Sequence, residues 1–295
     1  NRLAVELFHS LTDGNGGLIF IKTLAAEYLE QKYKTSIPHE NGVLDRLKEP
    51  YRYELEDSFL KNGGKVSASR KESTPYHISG EKEPDGFLNL TCLTVNANEL
   101  REKAKEYGVK VTSLLCASMT KAILNIEARH VGNRRKQKPV KVLIPINLRD
   151  MFNSKTLRNF VLYASPEIDP RMGDYDFGEL CYSISHQLAF LSTKKQLQAK
   201  FTTNVNSEKL FIVRIMPLFI KNIVMKIIFM LYGENKSCLS LSNLGLQILP
   251  AEMEKHITGM DFILGPQARM PYNCGVISYK DTVRINFIRN TIEPE

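Results

Sequence analysis

The spacing of apolar residues changes several times along the chain, and each change marks an element. Leu3, Val5, Leu7 and His9 alternate with polar or outward positions such as Glu6, which predicts a strand ending at the histidine. Thr12-Asp13-Gly14-Asn15-Gly16-Gly17 then interrupts the pattern with turn residues, three of them glycines able to accept positive φ. From Leu18 the period becomes helical, with Ile21, Leu24, Ala25, Tyr28 and Leu29 on one stripe. Residues 34–84 are polar, broken by Pro38, Pro50, Pro75 and Asn62-Gly63-Gly64, and read as a crossover between two lobes. A strand is expected from Phe87 to Val95. Asn96 followed by Glu99 then caps a helix carrying Leu100, Ala104 and Tyr107, which Gly108 ends.

Thr112 is the expected cap of the next helix, with a core stripe of Leu115, Met119, Ala122, Ile123 and Ile126. His130 falls in its last turn, where a cation suits the helix dipole. Val140, Val142, Ile144 and Ile146 alternate as a strand running into Asn147-Leu148-Arg149, and residues 159–165 make another. Phe177, Leu180, Ile184, Leu188 and Leu191 mark a long helix that Asp176 begins. Residues 210–231 are the most apolar stretch. Arg214, Lys221 and Lys226 argue against a membrane span and Pro217 against one continuous helix, so two packed core helices are expected. Peripheral membrane contact through 210–231 is the less favoured alternative. The chain closes on strands at 237–242, 261–264, 274–279 and 283–288, the last two joined as a hairpin by Lys280-Asp281-Thr282.

With 295 residues, 43% of them hydrophobic, the chain is large enough for a sizeable core in one large or two ordinary domains. It shows neither a signal-peptide pattern nor a long uncharged apolar run, which points to a cytoplasmic protein without a transmembrane span. Its opening inside a predicted strand suggests a fragment lacking the N-terminal part of a first lobe. Five cysteines, at 92, 116, 181, 238 and 274, form no C-x-x-C pair, so neither zinc nor a disulfide framework is indicated. A formal net charge of +8 favours anionic partners without choosing between nucleic acid, a phosphate-bearing cosubstrate and plain solvation.

The chemistry concentrates around His9. A calcium loop counted from Asp13 would place Leu18 where glycine is needed and Leu24 where the acidic ligand is needed. A phosphate-cradling loop would need G-x-G-x-x-G or a Lys-Ser/Thr ending, and Gly14, Gly16 and Gly17 provide neither. What remains is His9-x-x-x-Asp13-Gly14, which resembles the motif of the chloramphenicol acetyltransferase and condensation-domain superfamily. Two further segments follow in that family's order. Pro145-Ile146-Asn147-Leu148-Arg149, with Arg158-Asn159-Phe160, resembles the strand ending in arginine and the Gly-Asn-Phe-like segment after it. Leu241-Ser242-Asn243-Leu244-Gly245 resembles the serine-bearing strand of the alcohol acetyltransferase branch. The sequence departs from the family in having Phe8 where many condensation domains have a first histidine, and Arg158 where glycine is common. The aromatic second motif is not recognisable, because Asp176-Phe177-Gly178 precedes a helix.

The resemblance implies an α/β protein of two related sandwich lobes, each a mixed sheet with flanking helices. Residues 1–85 would be the remainder of the first lobe with the crossover, and residues 86–295 the second lobe. It implies transfer of an acyl group from acetyl-CoA or another acyl-CoA to a small-molecule alcohol or amine, without a metal or a nucleic-acid partner. His9 would be the general base, a role neutral imidazole suits. Ser242, helped by Asn243, would donate to the oxyanion. Asp13 would pair with Arg149 through two hydrogen bonds beneath the loop that Gly14 closes. Direct attack is implied, since there is no G-x-S-x-G elbow. The alternatives are a condensation-type domain using carrier-protein thioesters and a non-catalytic binding module of the same fold.

Overall fold

The computed structural model describes residues 2–69, 72–211, 215–232, 236–267 and 270–293, with backbone alone at 230–232. Seven strands form one mixed sheet: β1 (Asn89–Asn96), β2 (Val140–Asn147), β3 (Val161–Ala164), β4 (Glu167–Ile168), β5 (Leu239–Gln247), β6 (Tyr272–Tyr279) and β7 (Thr282–Arg289). The order is β1-β7-β6-β5-β2-β3, with β4 also beside β2. β5 runs parallel to both β2 and β6, and the remaining pairs are antiparallel. The helices are α1 (Gly14–Tyr33), α2 (Arg52–Leu55), α3 (Ser58–Asn62), α4 (Ala97–Glu106), α5 (Val111–His130), α6 (Arg149–Phe152), α7 (Phe177–Leu191), α8 (Lys194–Lys209), α9 (Leu218–Tyr232) and α10 (Ala251–Glu254).

Strand periodicity divides the sheet into two unlike faces. One presents Val140, Val142, Ile144, Leu239, Leu241, Cys274, Val276, Val283 and Ile285, which form the main core with α5 and α7. The other presents Ser240, Ser242, Asn273, Gly275 and Asn286, small or polar side chains that lie beside the buried Ile277, Tyr279 and Ile288. Local chemistry sets most of the helix ends. Asn96 accepts from the N–H groups of Asn98 and Glu99, and Asp176 forms a reciprocal capping box with Glu179. His130, at the end of α5, meets the Tyr76 hydroxyl at 3.1 Å and so helps to hold the crossover.

Several expectations are corrected. Residues 2–8 are not a strand, because no described strand lies beside them to complete a ladder. Gly14, Gly16 and Gly17 lie inside α1, and none is among the glycines with positive φ. The buried side of α1 carries Lys22, Ala26 and Leu29, which pack on Ile37, Val43, Leu249 and Met253, while Leu24 and Tyr28 are exposed. Lys22 reaches carbonyls of Asn41 and Ile248 at 3.0 and 3.1 Å, and burial pulls its pKa down. The cap of α5 is Lys110 rather than Thr112, and Ala122 is exposed. Residues 261–264 are irregular, not a strand. The described part of 210–231 is not a core helix pair, since Leu218, Phe219, Ile223, Ile227 and Phe229 of α9 are all exposed.

Candidate active site

The loop before α1 is held by a single carboxylate. Asp13, 3% exposed, caps the helix through Oδ1, which accepts from the N–H groups of Asn15 and Gly16 at 3.1 Å each. Its Oδ2 accepts from the Phe160 N–H at 2.8 Å and from Arg149 Nη2 at 2.8 Å. Both lone-pair sets of a buried anion are thereby satisfied, which burial requires. The two-pronged pairing expected for Arg149 is not formed. Its fork is shared instead with the surrounding loop: Nε donates to the Thr156 carbonyl at 2.8 Å and Nη2 to that of Arg158 at 2.8 Å. Nη1 donates to Asn147 Oδ1 at 3.0 Å. One guanidinium therefore ties the end of β2 to residues 156–160 and to the loop bearing His9.

The same loop is pinned a second time. Thr12 Oγ1 donates to the Leu157 carbonyl at 2.6 Å, and Gly16 lies against this contact. A Cβ on Gly16 would stand 2.6 Å from the Leu157 oxygen and would also run into Thr12 Oγ1, so close approach rather than φ calls for glycine there. His9 itself lies in the turn that the Leu11 N–H closes onto the Phe8 carbonyl at 2.9 Å, and it is exposed. The expected strand end facing a cleft is thus a solvent-facing turn anchored four residues downstream.

Ser242 and Asn243 separate onto opposite faces of β5. Asn243 points to the helix side, where its amide donates to Thr112 Oγ1 at 3.1 Å. Its Oδ1 accepts from the Gly245 N–H at 2.8 Å, fixing a bulge in which Gly245 takes φ 70°. Asn243 is therefore occupied in shaping the strand end. Ser242 is half-buried on the small, polar face, and its hydroxyl has no hydrogen-bond partner among the described residues. Its cross-strand neighbour is Gly275, where a Cβ would meet the Phe262 backbone carbonyl. The Asn286 amide donates to that carbonyl at 3.2 Å and to Asp261 Oδ1 at 3.3 Å, holding the 261–262 segment across the sheet. Phe262 in turn reaches Gly14: a Cβ there would lie 3.7 Å from its ring and 3.1 Å from Leu244. Gly14, at the end of the His9 loop, and Gly275, the neighbour of Ser242, consequently both lie against Phe262 on one face of the sheet.

No protein-family model and no curated protein matches the sequence. Solved structures do. The chain superposes on the epimerization domain of the third module of tyrocidine synthetase B with a TM-score of 0.51 at 12% identity, over 96% of this chain and 62% of that one. It matches a trichothecene 15-O-acetyltransferase from Fusarium sporotrichioides with a TM-score of 0.52 at 12% identity, over 95% and 59%. Polyketide synthase associated protein 5 from Mycobacterium tuberculosis gives 0.51 at 12%, over 98% and 68%. The chain therefore shares its overall fold with these three proteins. It spans 59–68% of the length of these three neighbours.

Of the predicted site residues, Asp13 and Arg149 are paired, Gly14 lies against Leu244 and Phe262, Asn243 is turned to the opposite face of β5 from Ser242, and His9 is exposed in its turn. Sequence reasoning missed Thr12, Gly16, Phe262, Gly275 and Asn286. A glycine inside an apolar strand, as at Gly275, is the kind of signal that marks close backbone approach. No local pattern announces Phe262, which is placed by contacts distant in sequence.

Proposed function

We propose that the chain transfers an acyl group from a thioester to an acceptor hydroxyl, with acetyl-CoA or another acyl-CoA as donor. The observation that supports this reading is the double anchoring of the His9 loop, through Asp13 to Arg149 and through Thr12 to Leu157, on the face where the Ser242 hydroxyl is uncommitted. His9 takes the proton of the attacking hydroxyl and returns it to the departing thiolate. Ser242 donates to the oxygen that becomes negative in the tetrahedral intermediate. Asp13 and Arg149 do not touch reacting atoms; they position His9. Gly14 lets the loop approach Leu244 and Phe262, and Asn243 fixes the end of the strand that carries Ser242.

Two measurements test this. Replacing Ser242 by alanine is expected to lower kcat by about 10²–10³ with little change in KM, because the donor acts only near the transition state. An effect confined to KM would make Ser242 a ground-state binding residue instead. Donor class is settled by offering acyl-CoA and carrier-protein thioesters in parallel against alcohols and amines, and weighing the product by mass spectrometry. Ester formed from acyl-CoA is the expected outcome. Amide formed from the carrier thioester alone would favour a condensation-type domain, and binding without turnover a non-catalytic module.

A further inference from the structure

Helix α9 (Leu218–Tyr232) is an apolar surface that the described chain leaves uncovered. Leu218, Phe219, Ile223, Ile227 and Phe229 are 72%, 68%, 60%, 51% and 56% exposed, and no other described element packs along the helix. Its least exposed side carries Lys221, Val224 and Ile228. Phe219, Ile223 and Ile227, four residues apart, therefore form a stripe directed away from the protein, with Lys226 at its flank. Large apolar patches on a folded surface mark an interaction site rather than a random excess.

Charge and length select the occupant. No Asp or Glu occurs between Lys209 and Tyr232, whereas Lys209, Arg214, Lys221 and Lys226 all fall there. A helix of 15 residues rises about 22 Å, short of the roughly 30 Å of a hydrocarbon core. No single described helix is long and apolar enough to cross a membrane. A helix made to fill a protein groove keeps polar residues beside its stripe, but Leu218, Met225 and Phe229 flank this one. With two lysines, no acidic residue and a length too short to span, α9 suits the anionic face of a bilayer rather than its interior.

We propose that α9 docks the protein onto an anionic membrane surface. Phe219, Ile223 and Ile227 enter the boundary between headgroups and acyl chains, and Lys226 at their flank pairs with lipid phosphate. This does not rest on the acyl-transfer reading, and its test leaves activity out. The full chain is mixed with phosphatidylcholine vesicles, with or without phosphatidylglycerol, and floated on a density gradient. It is expected to rise with the anionic vesicles, and to do so less at high salt. The variant Lys226→Gln should bind more weakly by about fivefold. The triple variant Phe219→Asp, Ile223→Asp, Ile227→Asp should stay at the bottom with an unchanged thermal transition. Should that variant lose its transition, Ile223→Ser is floated in its place and is expected to bind more weakly than the parent. The proposal is overturned if the parent protein stays down with both vesicle types, or if folded stripe variants float as well as the parent. It is equally overturned if ultracentrifugation finds concentration-dependent self-association that the stripe variants abolish while the parent ignores vesicles. A second copy would then cover the helix.

Discussion

Asp13→Ala and Arg149→Ala are each expected to destabilise the protein by roughly 3–5 kcal/mol, and the double variant by much less than the sum. Either single change strands a charge: Arg149 is 6% exposed and Asp13 3%. Loss of Asp13 also removes the acceptor for the Phe160, Asn15 and Gly16 N–H groups, so the start of α1 and the 156–160 loop loosen together. Loss of Arg149 frees the carbonyls of Thr156 and Arg158 as well as the carboxylate. Chemical denaturation of the four members of the cycle measures the coupling. Additive losses would mean that the contact contributes nothing beyond its separate parts. Under the proposed mechanism activity should fall along with stability, because the Asp13–Arg149 pair holds the loop that carries His9.

His9→Ala should behave differently. The side chain is exposed, so the folded state loses little when it is removed, and the thermal transition should be unchanged. Acyl transfer should nevertheless fall by about 10²–10⁴, the usual cost of losing a general base. An alcohol acceptor depends on the base because its proton must leave as the oxygen attacks. A thiol acceptor, already partly ionised near neutral pH, depends on it less. The variant should therefore lose more rate with the alcohol than with the thiol. Equal losses with both would point to a positioning role for His9. Full activity with an unactivated alcohol would remove it from the mechanism.

The contrast between these two residues reflects how the sequence could be read. Asp13 and Arg149 are 136 positions apart, and no local pattern joins them. Only the resemblance of both segments to one family did so, and the structure adds that the fork is divided among backbone carbonyls. Elements whose own residues carry the signal were legible: the Asn96 and Asp176 caps, strand β2, helix α7 and the β6–β7 hairpin. Patterns that depend on what lies opposite were not. Residues 2–8 alternate like a strand but have no described neighbour to pair with. The apolar stripe through Leu24 and Tyr28 marks a side of α1 that the described chain leaves exposed, while Lys22 sits on the buried side because two carbonyls receive it. Apolarity at 218–229 signalled burial, yet α9 is exposed. Alternation placed Ser242 and Asn243 side by side in the chain, and the pleat sets them on opposite faces.

The central claim, that the face joining the His9 loop to Ser242 supports acyl transfer, is tested most directly by following free thiol release. The full chain is incubated with an acyl-CoA and, separately, with an acylated carrier protein, each with and without an alcohol acceptor. Thiol release that rises on addition of the acceptor, accompanied by the corresponding ester, is the result predicted. Release that never depends on an acceptor, from either donor and with amines as well as alcohols, would contradict it.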